Sequence, residues 1–364
     1  MKKIALLVSL LLTIVANTQV KEQHYRVDAT YFFGNILKHN PDISHLIRSH
    51  PSGAIFGFNK KTFGHREWER LHHYPDVGFS FIYQNMHNST LGKHYGLYAH
   101  YNFYFLKRKM LFRIAQGLSY NTNPYDAQTN FRNIAYGTHV LSSTYALFNY
   151  KEDAIIDKIG VQVGLGIVHY SNANFRAPNT STNTIFANFG ITYEFDSEVP
   201  EYAEREENIL QYSEPVTLSL LSRFGVNESD IVGSGQYPFV VLGAMVDKRL
   251  NKKSTIQLGS ELFFSEALEI YIDYRASGEF EDGVTGDEDS KRASIFIGHE
   301  LRLGKFAIPI QFGYYVYYPF DFEGTTYNRV ALKYYTNPNI FLATSVRSHA
   351  AKAEAVEFSL GYRF

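Results

Sequence analysis

The sequence predicts an all-β fold of about sixteen antiparallel strands that close into a barrel within a membrane. The first observation is alternation: along 159–172 the odd positions are mostly large and apolar, whereas the even positions are mostly glycine, glutamine, valine or tyrosine. The second is composition: the chain has 28 Tyr and 29 Phe but a mean hydropathy of only -0.23. This combination fits many short alternating strands with aromatic ends better than apolar helices. The third is that no segment after the N-terminus is apolar enough to span a membrane as a helix. An apolar outer stripe and a small inner stripe are typical of membrane barrels.

The N-terminus indicates export. Met1-Lys2-Lys3 precede an apolar run over 4–15, and small or polar residues follow, so residues 1–18 are predicted to be a secretory signal peptide. The chain carries 35 basic and 36 acidic residues, which gives no indication of nucleic-acid binding. It has no cysteine, which excludes a disulfide framework, a zinc-thiolate site and a cysteine nucleophile.

Turn signals divide the first half of the mature chain into about eight alternating runs. In the run 94–107, for example, Leu97 and Phe103 alternate with Gly96 and Asn102. We therefore predict strands at 24–33, 52–61, 76–86, 94–107, 109–120, 139–150, 157–172 and 182–195.

The second half contains about eight more runs of the same kind. The last one alternates from Val356 to a terminal Phe364, and a C-terminal aromatic residue resembles the assembly signal of bacterial outer-membrane barrels. The predicted strands are 215–226, 237–250, 253–265, 291–303, 305–318, 327–335, 339–348 and 354–364.

Loop lengths indicate the topology independently. Outer-membrane barrels have short periplasmic turns and longer extracellular loops. With a periplasmic N-terminus, the turns near Arg108 and at 151–155, 251–252, 304 and 337–338 are short, whereas the outside loops 34–51, 121–138 and 266–290 are long. Only 62–74 departs from this rule, as a long segment on the periplasmic side.

Residues 196–214 are acidic and poor in strand formers. A periplasmic turn within one barrel is rarely so long, so we predict a linker between two eight-stranded barrels. The first barrel unit covers 19–195 and the second covers 215–364, for which no role is assigned. One sixteen-stranded barrel is the alternative, and no internal repeat relates the halves.

A polar motif ends the run 159–172: His169-Tyr170-Ser171-Asn172-Ala173, followed by Pro178-Asn179. Its His and Ser share the outward, lipid-facing stripe, where an enzyme acting on a membrane lipid would need them. The motif resembles that of the outer-membrane lipid A 3-O-deacylases, an eight-stranded barrel family with a Ser-His-acid site. The resemblance is specific over 167–180, is looser over the rest of 20–195, and does not extend to 215–364.

The resemblance implies that Ser171 is the nucleophile, His169 the general base and Asn172 a contributor to oxyanion stabilisation. The spacing agrees, because two residues along a strand lie roughly 6.5 to 7 Å apart on one face. At that distance the imidazole can reach the hydroxyl and take its proton. Two positions depart from the family pattern. Asn174 replaces a glycine, and Asn183 stands where the family has the Glu that orients the histidine.

Asn183 is similar in its spacing to the third residue of a second family, the calcium-dependent outer-membrane phospholipase A. It lies on the outward stripe of the next run, so we expect it to meet His169 across the hairpin and complete a Ser-His-Asn triad. Ala173 and Asn174 do not match that family's glycine and arginine, and its barrel has twelve strands.

These resemblances imply an outer-membrane serine esterase, a hydrolase that removes an ester-linked acyl chain from lipid A of lipopolysaccharide. A phospholipase A is the first alternative, and a non-enzymatic barrel, either a porin or a structural protein, is the second. We expect no metal site and no cofactor, except calcium under the phospholipase alternative. The expected partners are lipopolysaccharide or phospholipid in the bacterial outer membrane and no nucleic acid, with a homodimer left open. Ionisable residues predicted to fill the lumen rather than line a pore are Arg113, His100, Glu261, Glu300 and Arg302.

Overall fold

The computed structural model of the chain describes residues 23–39, 41–196, 200–204, 212–278, 280, 283–350 and 352–364. The predicted signal peptide lies outside these residues, as does part of the predicted linker. Apolar residues alternate with small or polar ones along each strand, so each strand presents one face to lipid and the other to a lumen.

The first eight strands form one closed antiparallel barrel. Its first and last strands pair with each other from Arg26 opposite Glu194 to Ile36 opposite Thr184. The strands of this first barrel are β1 (Tyr25–Ile36), β2 (Ser52–Lys60), β3 (Asp76–Asn85), β4 (Lys93–Phe105), β5 (Met110–Asn121), β6 (Val140–Ile156), β7 (Ile159–Ser171) and β8 (Thr182–Glu194).

The remaining eight strands close into a second antiparallel barrel, in which the last strand pairs with the first from Phe358 opposite Phe224 to Arg363 opposite Ser219. The prediction of two eight-stranded barrels is therefore confirmed, and the alternative of one sixteen-stranded barrel is wrong, because each hydrogen-bond ladder closes on itself. The strands of the second barrel are β9 (Thr217–Glu228), β10 (Gln236–Arg249), β11 (Ser254–Ser265), β12 (Arg292–Leu303), β13 (Phe306–Tyr317), β14 (Thr326–Tyr335), β15 (Ile340–His349) and β16 (Lys352–Arg363).

In the part of the chain that the structure describes, three short helices lie between strands: a 3-10 helix at Pro41–Leu46, α1 (Glu67–Leu71) and α2 (Glu266–Ser277). The segment 266–290 was expected to be entirely loop, but α2 occupies its first half. The Ser265 hydroxyl caps this helix by accepting a hydrogen bond from the Leu268 backbone, and Leu268 and Ile272 pack against Phe320 over the outer end of the second barrel. Within the described ranges, no helix has the length and apolarity needed to cross a membrane.

One strand boundary differs clearly from its prediction. The segment 151–155 was expected to be a turn, but β6 continues through it to Ile156, with an irregularity in its pairing to β7 between Glu152 and Ile156. The Lys151 side chain is buried and pairs with Asp153 at 2.5 Å. The backbone at 151–152 therefore stays in the ladder, whereas 153–155 form an unpaired irregularity before the pairing resumes at Ile156.

Both lumens hold paired ionisable groups. In the first barrel the Arg113 guanidinium lies 2.7 Å from the Asp28 carboxylate, and His100 hydrogen-bonds the Asn59 side chain at 2.9 Å. In the second, Glu261 pairs with two arginines, and Glu300 lies within ion-pair distance of Lys333 and Arg302. Buried charges are tolerated when they are paired in this way, so these side chains fill the barrels, as predicted.

The two barrels contact each other through the segment 61–75, at the ends that the loop lengths predict to be periplasmic. The His72 imidazole lies 2.8 Å from the Arg302 carbonyl oxygen of the second barrel, and the Glu67 carboxylate lies 2.5 Å from the Lys252 ammonium. The connecting segment packs on the same surface, since the Ala203 backbone donates to the Phe63 carbonyl at 2.8 Å. The long segment 61–75 of the first barrel therefore contacts both the second barrel and the connecting segment.

Candidate active site

His169 lies on the outer wall of the first barrel, near the extracellular end of β7. The preceding residues of its stripe, Leu165 and Ile167, are exposed on that wall, so the register places the imidazole on the lipid-facing side. Its direct partner in the antiparallel ladder is Asn183 of β8. The histidine and the asparagine meet across the hairpin, as expected from their positions in sequence.

One hydrogen bond orients the His169 imidazole. Its Nδ1 lies 2.8 Å from the Asn183 side-chain oxygen, which can only accept, so the proton of the neutral ring is on Nδ1. The Nε2 atom makes no hydrogen bond to any residue that the structure describes. The lone pair on Nε2 is therefore free to accept a proton, which is the tautomer that a general base requires.

Ser171 is the last residue of β7, and a loop covers it. Its hydroxyl donates to the Asn179 side-chain oxygen at 3.0 Å and accepts from the Ala173 backbone at 2.8 Å. The residue is only 3% exposed. Ser171 follows His169 on the outward stripe, but its hydroxyl is not exposed, because the loop 172–181, which we call the site loop, packs against it.

Asn172 is held by both its backbone and its side chain. Its backbone N–H donates to the Asn179 side-chain oxygen at 2.9 Å, and its side-chain nitrogen donates to the Arg176 carbonyl at 2.5 Å. The second hydrogen of that nitrogen remains for another acceptor. The predicted contribution of Asn172 to oxyanion stabilisation stays a prediction.

The site loop turns sharply at Ala173 and Asn174, whose φ angles are 52° and 61°. Glycine adopts this left-handed conformation at little cost, and asparagine tolerates it better than most residues. Asn174 can therefore take the place of the glycine expected from the family pattern. Its side chain also donates to the backbone carbonyl of Glu228 in the second barrel at 3.1 Å.

Neighbouring loops of the first barrel also support the site loop. The Thr180 and Ser181 backbones donate to the carbonyls of Ile134 and Ala135 at 3.1 and 3.2 Å. Gly137 lies so close that a Cβ atom there would come within 2.5 Å of the Arg176 carbonyl oxygen. The site loop is thus packed on one side by the first barrel and on the other by the second.

Sequence reasoning missed two residues of this site. Asn179 belonged to the quoted motif but received no role, although it holds both the Ser171 hydroxyl and the Asn172 backbone. No sequence pattern connected Glu228 with the site, because this residue belongs to the second barrel and is distant from the motif in the chain. In the described part of the chain no cluster of three or more His, Asp or Glu side chains could hold a metal ion. The expectation that the reaction needs no metal or cofactor stays a prediction.

The structure brings His169 and Asn183 together, whereas the Ser171 hydroxyl bonds Asn179 and no described hydrogen bond joins it to His169. Two closed antiparallel barrels with lipid-facing outer walls define the class as a membrane β-barrel protein. Residues 52–192 match the family model described as Lipid A 3-O-deacylase (PagL), and residues 215–364 match the one described as Acyloxyacyl hydrolase, C-terminal domain. The first barrel therefore matches the lipid A 3-O-deacylase family and the second barrel matches the acyloxyacyl hydrolase C-terminal domain, and the chain is an ester hydrolase of the outer membrane that deacylates lipid A.

The second match adds a relationship that the sequence analysis did not predict. The match to the lipid A 3-O-deacylase model ends at residue 192, as expected, but the second half, to which no role was assigned, matches a different family model. That half lacks the His-x-Ser-Asn motif that carried the resemblance, so the motif alone could not reveal the relationship.

Likeness to solved structures is weak. OccAB4 of Acinetobacter baumannii is 13% identical and has a TM-score of 0.24, over 95% of this chain and 98% of that chain. Omp33 of the same organism is 8% identical with a TM-score of 0.19, over 95% and 100%. A mutant of Rhodopseudomonas blastica porin is 9% identical with a TM-score of 0.18, over 93% and 99%. Scores this low support no inference, and no curated protein matches the chain.

Proposed function

We propose that the chain is a serine esterase in which Ser171 is the nucleophile, His169 the general base and Asn183 the residue that orients the base. The observation that carries this proposal is the 2.8 Å contact from His169 Nδ1 to Asn183, on the lipid-facing wall and two residues from a serine. No cofactor is part of the proposal.

The first half of the reaction transfers the acyl group to the enzyme. The Ser171 hydroxyl rotates from Asn179 toward His169, whose Nε2 takes the proton as the oxygen attacks the ester carbonyl. The tetrahedral intermediate collapses, the ester C–O bond breaks, and the imidazolium returns the proton to the sugar or hydroxyacyl oxygen that leaves. A second Nε2-assisted attack, by water, then releases the fatty acid and restores Ser171.

Asn183 supports these steps without charge. Its side-chain oxygen keeps the Nδ1 proton in place, so the tautomer is correct before substrate binds. An amide cannot stabilise the imidazolium as a carboxylate does, so this triad gains less from its third member than a Ser-His-Glu triad would.

Phospholipase A activity is the second candidate, and the Asn183 contact is the observation that favours it. The resemblance to the calcium-dependent family rests on an asparagine at this position, and calcium would be needed only under this alternative. A homodimer also stays a prediction, which the mass of the purified protein in detergent would test.

Mass spectrometry of lipid A from cells that express the protein tests the proposal. We expect loss of one acyl chain with wild-type protein and unchanged lipid A with Ser171→Ala. Loss of a hydroxyacyl chain would place the cut at the ester that joins this chain to the sugar, whereas loss of an unsubstituted chain would place it at an acyloxyacyl ester. Ser142→Ala is a matched control, because Ser142 lies opposite Ser171 on β6 and its hydroxyl bonds Gln116 instead.

Unchanged lipid A together with new lysophospholipid would favour the phospholipase and contradict the deacylase. Deacylation that persists in Ser171→Ala would show that another residue is the nucleophile.

A further inference from the structure

The second barrel contacts the site loop directly through Glu228, the last residue of β9. The Glu228 carboxylate accepts a hydrogen bond from the Ala177 backbone at 2.8 Å. Its own backbone N–H donates to the Asn174 carbonyl at 3.2 Å, and its carbonyl accepts from the Asn174 side chain at 3.1 Å. Gln236 adds a fourth bond, to the Phe175 carbonyl at 2.8 Å. Four hydrogen bonds therefore join the second barrel to residues 174–177 of the site loop.

The environment of Glu228 makes this contact specific. The residue is 2% exposed, and the described residues include no cation within ion-pair distance of it. Its second carboxylate oxygen accepts from the Gly233 and Gly235 backbones at 2.7 and 3.4 Å. A buried carboxylate is stable only when its oxygens accept such bonds. Ala177 thus supplies, from the first barrel, a donor that the carboxylate of the second barrel needs.

The bonded part of the site loop is the part that holds the nucleophile. Arg176, whose carbonyl fixes the Asn172 side chain, immediately precedes Ala177. Asn179, two residues after Ala177, holds the Ser171 hydroxyl. A displacement of Ala177 would therefore move the groups that set the rotamer of Ser171.

The barrels are also held at their opposite ends, by the contacts of His72 with Arg302 and of Glu67 with Lys252. The two barrels are thus joined at both ends, so Glu228 is held in place relative to the first barrel by contacts on both sides. A catalytic group acts efficiently only when such supporting contacts hold its geometry closely.

We propose that Glu228 is a positioning residue for the esterase site, and that the second barrel serves to hold the site loop in its working conformation. Asn174 is the residue of the first barrel that contacts Glu228 most extensively, because its backbone carbonyl and its side chain both form hydrogen bonds with the Glu228 backbone. This inference rests on the proposed function of Ser171 and His169.

Two variants test it in the full-length protein. In Glu228→Gln, one carboxylate oxygen becomes an NH₂ group that must face the N–H of either Ala177 or Gly233, so the contact is weakened. Asn174→Gly preserves the left-handed turn and removes only the side-chain bond. The matched control is Asp230→Asn, which makes the same charge change in the same loop of the second barrel but pairs with Lys352.

We expect Glu228→Gln to lower kcat by about 10- to 100-fold with KM changed by less than about threefold, since small misplacements of reacting groups cost this much. Asn174→Gly should lower kcat in the same direction by a smaller factor, and Asp230→Asn should match wild type. The rate at which a fluorophosphonate labels Ser171 should fall with kcat, whereas the final extent of labelling should stay the same.

A fall in the extent of labelling without a change in rate would show that Glu228 affects folding only, and would overturn the inference. Wild-type kcat in Glu228→Gln, or a change confined to KM, would overturn it too. If the wild-type protein neither deacylates lipid A nor is labelled at Ser171, the proposed function itself has failed.

Discussion

The site places an amide where the related deacylases are expected to carry a carboxylate. Asn183 holds the imidazole of His169 through one neutral hydrogen bond of 2.8 Å. Such a bond selects a tautomer but does not offset the charge that develops on the ring when it takes the serine proton. Substitutions at position 183 can therefore separate the effect of selecting the tautomer from the effect of stabilising the imidazolium charge.

We expect Asn183→Ala to lower kcat by about 10- to 150-fold, the usual range for one catalytic hydrogen bond of about 1 to 3 kcal/mol. Ser171→Ala and His169→Ala should each abolish turnover, because the nucleophile and its base act as one unit. Turnover of a short-chain ester in detergent measures all three. A loss in Asn183→Ala as complete as that in His169→Ala would show that the asparagine does more than orient the ring.

Asn183→Glu is the sharper substitution, because it installs the carboxylate of the related family on the same ladder position. Activity at neutral pH should stay the same or rise. If Asn183→Ala and Asn183→Glu both leave turnover unchanged while Ser171→Ala is inactive, another residue orients His169 and the assignment of Asn183 as the third member of the triad is wrong.

Among the structural elements, the periplasmic segment 61–75 is the one whose length departs from the pattern of short turns. Its α1 helix and the residues around it contact the second barrel at Lys252 and Arg302. Burial holds the pKa of His72 below its ordinary value of 6.5, and the nearby Lys253 ammonium lowers it further. The docked segment therefore favours the neutral imidazole.

This shift makes the periplasmic contact dependent on pH. The neutral form is favoured in the docked state, so the contact is at full strength above pH 6.5 and weakens as pH falls from 6.5 through the lowered pKa. Because the chain has no cysteine, a fluorophore and a quencher can be attached at Glu67→Cys and Lys252→Cys. Quenching should decrease between about pH 7.5 and about pH 5, across the range in which histidine titrates.

The control for this experiment is His72→Gln, which keeps a hydrogen-bond donor for the Arg302 carbonyl and cannot titrate. Its quenching should not change with pH. A response in this variant as large as in the parent protein would assign the effect to another group.

The whole molecule consists of two ladders that each close without the other. Fragments 20–200 and 210–364 should therefore each fold in detergent and migrate as heat-modifiable bands on gels. The first fragment contains Ser171, His169 and Asn183 but lacks Glu228, so its kcat should be about 10- to 100-fold below that of the full chain.

Mixing the two folded fragments should restore part of this activity, because the contacts at both ends of the barrels can re-form. Failure of either fragment to become heat-modifiable would show that the barrels depend on each other for folding. Full activity of the first fragment alone would show that the second barrel does not assist the site.

The sequence by itself determined the number of strands, the face of each strand and the meeting of His169 with Asn183. Side chains alternate with a period of two along a strand, so the outward stripe of β7 can be read directly. A short hairpin then places the outward positions of β8 beside it, which brings the asparagine opposite the histidine. These are local relations, and local sequence specifies them.

The acidic segment 196–214 favoured two barrels over one, but only the tertiary structure decided between these alternatives. It alone showed that the site loop covers Ser171 and that Glu228 meets Asn174. Closure pairs strands that are distant in sequence, such as β1 with β8, and hydrophobic alternation is the same whichever partner is chosen. The cover over Ser171 arises from side-chain bonds to Asn179, which no periodicity encodes. The contact of Glu228 joins two barrels across a long connection, so its residues become neighbours only when both barrels have folded and docked.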